Sequence, residues 1–101
     1  MLARVARYEV DPARMDSAVQ AFAEAAVEVE QLQGFAGGYV LVDPHDGRTM
    51  TLTLWENAAV LENSEHVAGR ARRRAAASVG GSVLSVEKFE VAQELGRDGG
   101  S

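Results

Sequence analysis

Hydrophobic and polar positions alternate in four stretches of this chain and recur at three- and four-residue intervals in two others. Residues 2–10 (LARVARYEV) alternate in polarity and carry Val and Tyr, side chains suited to a pleated surface, so they predict a strand. Asp11-Pro12 marks a helix start, because the Asp side chain can cap free amides and Pro tolerates the first turn. Met15, Ala18, Val19, Phe22, Ala25, Ala26, Val29 and Leu32 then recur on one helical side, while Asp16, Gln20, Glu24, Glu28 and Gln31 occupy the other. Such a stripe must lie on a sheet. Gly34 stops the helix, and Phe35-Ala36-Gly37-Gly38 leads into a second strand from Tyr39 to Val42.

Asp43-Pro44-His45-Asp46-Gly47 has turn chemistry, Pro fixing the bend and Gly allowing positive φ, so the strands on either side form a hairpin. The third strand, residues 48–55 (RTMTLTLW), has two unlike faces: Thr49, Thr51, Thr53 and Trp55 on one, Met50, Leu52 and Leu54 on the other. The apolar trio is expected to pack under the helices. Trp55 then stands on the helix-free face, which needs a second sheet or a ligand to cover it. A short helical piece from Ala58 to about Glu62 is expected next, followed by a longer helix capped by Ser64 and running through Ala77, with Val67, Ala71 and Ala75 as its buried stripe. Gly80-Gly81 ends it, residues 82–91 alternate again, and the Gly-rich residues 96–101 are expected to be a disordered tail. Strand, helix, strand, strand, helix, strand predicts an α+β fold of the ferredoxin-like split βαβ type: a four-stranded antiparallel sheet with two helices on one face, in a single domain over residues 1–95.

Composition narrows the chemistry. At 101 residues and 47% apolar content, the chain can build one core, and a partner would help it. There is no cysteine, so disulfides and thiolate metal sites are excluded, and a reducing cytoplasm is the expected compartment. Met1-Leu2-Ala3-Arg4 lacks the apolar core of a signal peptide, and no apolar run approaches the ~20 residues of a membrane span. His45 and His66 are the only histidines, and turn chemistry accounts for His45 and its acidic neighbours, so no metal site is expected. A formal charge of −5 argues against nucleic-acid binding; Arg70, Arg72, Arg73 and Arg74 read as a solvated helix face.

The run Gly34-Phe35-Ala36-Gly37-Gly38-Tyr39, the hairpin, and Leu54-Trp55-Glu56-Asn57 followed by Ser64-Glu65-His66 resemble the antibiotic biosynthesis monooxygenase family, over nearly the whole chain. The resemblance implies a homodimeric α+β barrel, in which two sheets pair face to face and each protomer keeps a pocket between sheet and helices. It also implies one of two activities: cofactor-free oxygenation of polyketide anthrones or quinols, or haem degradation. The haem-degrading branch has a first-strand asparagine, a second tryptophan and a histidine; here Ala6 stands about where the asparagine falls, Trp55 is the sole tryptophan, and Arg70 or Arg73 falls near the histidine position. No cofactor is therefore expected. In the anthrone-oxygenating branch the strand-end tryptophan matches Trp55 and a helix arginine matches one of Arg70 to Arg74, but Thr51 replaces an asparagine and Leu61 a tyrosine. The quinol-oxygenating branch often has a histidine where the long helix starts, and Ser64-Glu65-His66 is similar to that.

Oxygenation without a cofactor needs a substrate that can be deprotonated to an electron-rich anion able to reduce dioxygen, so the protein must supply a base, an apolar pocket and anion stabilisation. His66 titrates in the range of a base, Arg70 or Arg73 lies one or two turns along the same helix, and Trp55 can stack on a flat ring. These make His66 and Trp55 the candidate catalytic residues and Arg70, Arg73, Tyr39 and Thr51 the candidate substrate contacts, with Tyr8 a further donor. The plainer alternative has His66 and the arginines as surface groups and Trp55 as an interface aromatic. Two functions remain open: a cofactor-independent monooxygenase acting on a small aromatic, polyketide or quinol-type molecule, or a non-catalytic homodimeric barrel that binds a hydrophobic small molecule or serves a stress response.

Overall fold

In the computed structural model, which describes residues 1–96, the chain runs β1 (Leu2–Glu9), α1 (Met15–Glu30), β2 (Phe35–Asp43), β3 (Arg48–Trp55), α2 (Ala58–Ser78) and β4 (Ser82–Glu90). A 3-10 turn, Pro12–Arg14, leads into α1, and Asp11 caps it by accepting from the Ala13 amide at 2.9 Å. The strands form one antiparallel sheet in the order β2-β3-β1-β4. This is the α+β, ferredoxin-like arrangement that the element order predicts. Of the expected tail, residues 97–101 lie outside the described residues.

Two boundaries differ from the sequence expectation. The second strand starts at Phe35 rather than Tyr39, and its register slips between Phe35 and Gly37, so the glycines belong to the strand and bend it. The second helix is unbroken from Ala58 to Ser78, capped by Asn57, whose Oδ1 accepts from the Val60 amide at 3.0 Å. Ser64 is therefore an interior residue, its hydroxyl donating back to the Leu61 carbonyl at 2.7 Å. Gly34, at φ +83°, makes the turn between α1 and β2; a Cβ there would meet Val60 at 2.4 Å, so no other residue fits without displacing α2.

The faces of β3 are the reverse of the expectation. Thr49 donates to the Met15 sulfur of α1, and Trp55, fully buried, packs with Val29, Leu61, Ala68 and Ala71 from the two helices. The threonine and tryptophan face is thus the helix-covered one. Met50, Leu52 and Leu54, with Val5 and Ala3 beside them in register, make the opposite face, which continues across β2 to Tyr39 and Leu41 and across β4 to Phe89. Period two separates the faces but does not say which one the helices cover. Here the apolar trio lies on the helix-free face, and the polar wall faces inward because it lines a cavity.

Two clusters of buried side chains fill the helix side of the sheet. One joins Ala6, Tyr8 and Val10 to Met15, Ala18, Phe22, Ala75 and Ala76; the other surrounds Trp55. No described helix is long and apolar enough to cross a membrane.

Candidate functional site

Between the two clusters the packing gives out. The helix positions facing this part of the sheet are small, Ala25, Ala26, Ala68 and Ala71, and the sheet positions below them are Gly37, Gly38, Thr51 and Thr53. Small residues on both layers leave a cavity of about 490 Å³, within the usual range of small-molecule sites. Phe22, Val29, Phe35 and Val40 complete its apolar walls. Its polar lining is Arg4, Tyr8, Arg72 and the two threonines, with Glu30 and Tyr39 also bordering it.

The cations are held by one carboxylate. Arg4, 3% exposed on β1, donates through Nη2 to the Leu61 carbonyl at 2.8 Å and to Ser64 Oγ at 2.9 Å. Its guanidinium carbon lies 5.4 Å from the centre of the Trp55 ring, a cation–π distance. Its Nε is 3.1 Å from Glu65 Oε1, close enough for an ion pair but not aligned for a hydrogen bond. Arg72, 8% exposed on α2, grips the same carboxylate with both ends of its fork, Nη1 to Oε2 at 3.1 Å and Nη2 to Oε1 at 3.2 Å. Gly69 makes room for this. A Cβ there would lie 2.8 Å from Glu65 Oε2, so the bare helix surface lets the carboxylate run forward along α2 to reach Arg72.

Tyr8 and Thr51 share a hydrogen bond at 3.0 Å, and the Tyr8 ring packs on Phe22 with centroids 4.5 Å apart. Burial pushes the Tyr8 hydroxyl up from its ordinary value, against the opposing pull of Thr51 and the nearby Arg72, so it is a neutral hydrogen-bonding group at physiological pH. Burial pushes the Glu65 carboxyl up, but the hydrogen bonds and charge of Arg72 and the charge of Arg4 outweigh it and hold Glu65 below the usual carboxylate range. Burial pulls the Arg4 guanidinium down, opposed chiefly by Glu65; an arginine stays protonated throughout.

The structure brings together only part of the set expected from sequence. Thr51 faces the cavity; Tyr39 borders it, but it is 67% exposed and, in register with Leu52, belongs to the helix-free face. Trp55 lies beneath Arg4, sealed by Phe35 edge-on at 5.5 Å, with its Nε1 donating to Thr53, and is not part of the lining. His66, Arg70 and Arg73 are exposed on α2, and none of them borders the cavity. The expectation that Trp55, His66 and one of these arginines share a rim is corrected: helical phase carries Arg72, not Arg70 or Arg73, inward with Ala68, Ala71 and Ala75. Arg4 went unrecognised. Its signal was a charged residue in phase with Leu2, Ala6 and Tyr8 on β1, but Arg7, in the opposite phase, obscured which side was inward.

A two-layer α+β domain with an apolar, arginine-bearing cavity between sheet and helices is a ferredoxin-like fold of the α+β barrel type. Within that class the family is shown by sequence: the antibiotic biosynthesis monooxygenase profile matches residues 1–78, so the chain belongs to that family. No curated protein matches the chain by sequence. Among solved structures, a Deinococcus radiodurans protein assigned as an antibiotic biosynthesis monooxygenase superposes with a TM-score of 0.76 at 14% identity, over 97% of this chain and 99% of that one. SnoaB, a cofactor-independent oxygenase from Streptomyces nogalater, solved as an asparagine-to-alanine mutant, gives 0.73 at 17% identity, over 95% and 97%. MhuD, in an arginine-to-serine mutant with two manganese protoporphyrin IX bound per active site, gives 0.75 at 22% identity, over 96% and 100%. At these identities the likeness is one of fold.

Proposed function

We propose that this protein is a cofactor-independent monooxygenase that oxidises a small aromatic, polyketide or quinol-type molecule with dioxygen inside the cavity between sheet and helices. The observation that carries this reading is the cavity's pairing of apolar walls with two buried arginines. A flat, electron-rich ring finds its walls in Phe22, Val29, Phe35 and Val40. Its acidic oxygen finds Arg72 and the Tyr8 hydroxyl. Low dielectric strengthens the attraction of the guanidinium for a developing enolate, which lowers the substrate's own pKa. The anion transfers an electron to dioxygen, recombination of the two radicals gives a peroxide anion, and a proton returned from water makes it a hydroperoxide. For a CH₂ centre, loss of water from it leaves a carbonyl, so one oxygen atom enters the product and the other departs as water. The described lining holds no histidine, so in this scheme the substrate proton leaves to water, and His66, outside the cavity, has no part in it.

Haem does not fit this lining. The described residues bordering the cavity include no histidine, cysteine or methionine, and the phenol nearest the arginines, Tyr8, is kept protonated and bound to Thr51.

We further propose that two copies pair through the helix-free sheet face, where Leu41, Tyr39 and Phe89 are exposed beside Met50, Leu52 and Leu54. An apolar sheet of this kind is a self-complementary surface for a C2 dimer. The lack of a histidine in the described lining favours one alternative, a non-catalytic barrel that holds a hydrophobic small molecule. Oxygen uptake by the purified protein with a panel of anthrones and naphthoquinols under air separates the two. A monooxygenase consumes dioxygen faster than buffer with at least one of them; a binder does not.

A further inference from the structure

The cavity's charged groups do not cancel. Arg4 and Arg72 bring two positive charges, and both are more than nine-tenths buried; the carboxylate between them, Glu65, brings one negative charge. The nearby Glu62 and Lys88 pair with each other, and Glu30 at the cavity border is exposed to solvent, which screens it. A single positive charge is therefore left over in the apolar interior. Leaving a buried charge uncompensated is unfavourable, and the Arg4 Nε has no aligned acceptor of its own.

We propose that this imbalance makes the cavity selective for a flat ligand carrying one negative charge, and that Glu65 is the residue that sets this valence. The proposal rests on the reading of the cavity as the ligand site. A monoanionic oxygen set against Arg72 and the Tyr8 hydroxyl completes the charge balance. A neutral ligand leaves the surplus charge unanswered, and a dianion brings one negative charge too many. The anion has two chemical sources: a carboxylate already ionised in solution, or an enolate or phenolate whose ionisation the site itself promotes. Gly69 belongs to the same device. Without a Cβ at that position Glu65 can lie along the helix against Arg72, holding the guanidinium in place while cancelling one of the two positive charges.

Titration calorimetry on the whole protein tests this with three probes: an anthracene carboxylate, the matching anthracene methanol, and an anthracene ortho-dicarboxylate. The wild-type protein is expected to bind the carboxylate at least about tenfold more tightly than either of the others, the equivalent of one charge-assisted contact. Glu65→Gln keeps both arginines and the side-chain shape, and is expected to raise dicarboxylate affinity relative to monocarboxylate by about tenfold. Arg72→Gln is expected to abolish the preference for carboxylate over alcohol. An anthrol probe, titrated across its own pKa, distinguishes the sources: an apparent pKa lowered on binding assigns an anion made in the site, an unchanged one a ligand that arrives ionised. Equal affinity for the alcohol and the carboxylate, or a dicarboxylate ratio unmoved by Glu65→Gln, would overturn the proposal. Carboxylate selectivity without oxygen uptake from any anthrone would leave this inference standing and remove the monooxygenase reading; uptake from neutral anthrones that Arg72→Gln does not change would do the reverse.

Discussion

Glu65 and Arg72 are joined end to end, Oε1 to Nη2 at 3.2 Å and Oε2 to Nη1 at 3.1 Å, across seven residues of one helix. The same carboxylate lies 3.1 Å from Arg4 on β1, so it ties the helix to the centre of the sheet. Because the Glu65 carboxyl is held below its ordinary value, the charged form is the one the fold favours. Its contribution to stability is therefore present above the unfolded glutamate pKa of about 4.3 and is lost as pH falls through the lower folded value. Melting temperatures of wild type and Glu65→Gln should differ most near neutral pH and converge below about pH 4. A gap that stayed constant down to acid pH would show that the carboxylate charge does not matter to the fold.

Gly69 predicts a coupling. In an exposed helix interior, Gly→Ala normally gains about 1 kcal/mol. Here the added Cβ would lie 2.8 Å from Glu65 Oε2, and the carboxylate it must displace is gripped by Arg72. Gly69→Ala should gain clearly less than about 1 kcal/mol in the wild type and recover that gain in a Glu65→Ala background. A double-mutant cycle by urea denaturation measures this; equal gains in both backgrounds would mean the carboxylate does not pass over Gly69.

Trp55 is packed into the core. Fully buried beneath Arg4 and against Phe35, it should cost about 3–5 kcal/mol of stability when changed to Ala, by lost packing and cavity formation. Trp55→Phe, which keeps a ring against Phe35 and under Arg4, should cost less. Denaturant midpoints with unchanged slopes check this, and an Ala variant as stable as wild type would contradict the burial.

The helix-free sheet face predicts a dimer. Light scattering should give twice the chain mass at micromolar concentration, and Leu41→Lys, placed on an exposed apolar position of that face, should shift the equilibrium toward monomer. A wild-type protein that is monomeric throughout this range would remove the proposed pairing.

The element order was legible because each of the two periodicities persists for several turns or pleats: the Met15 to Val29 stripe and the alternation of residues 48–55 leave little choice of element type. Which face of β3 the helices cover was not legible. Met50, Leu52 and Leu54 are as suited to a second sheet as to a helix layer, and a polar threonine wall looks external until a cavity lies above it. Ser64 looked like a cap because its hydroxyl suits one, but inside the unbroken helix it accepts from Arg4 across the layers. In the cluster Arg70 to Arg74 the identity of the inward arginine depends on helical phase, and an expected helix break placed that phase wrongly. His66 stands out in the sequence as a histidine beside the expected helix start; exposure on α2 is a property of packing that its neighbours in sequence do not display.

The most direct test of catalysis within the cavity is the initial rate of oxygen consumption, with an anthrone that the wild-type protein oxidises, compared across three forms of matched circular dichroism: wild type, His66→Ala and Arg72→Gln. His66→Ala should match the wild type, since its side chain is exposed outside the cavity, and Arg72→Gln should be slower by at least about tenfold, the loss of one charge-assisted contact to the developing anion. A His66→Ala protein that loses the rate while Arg72→Gln retains it would contradict this assignment and place the chemistry on the outer face of α2.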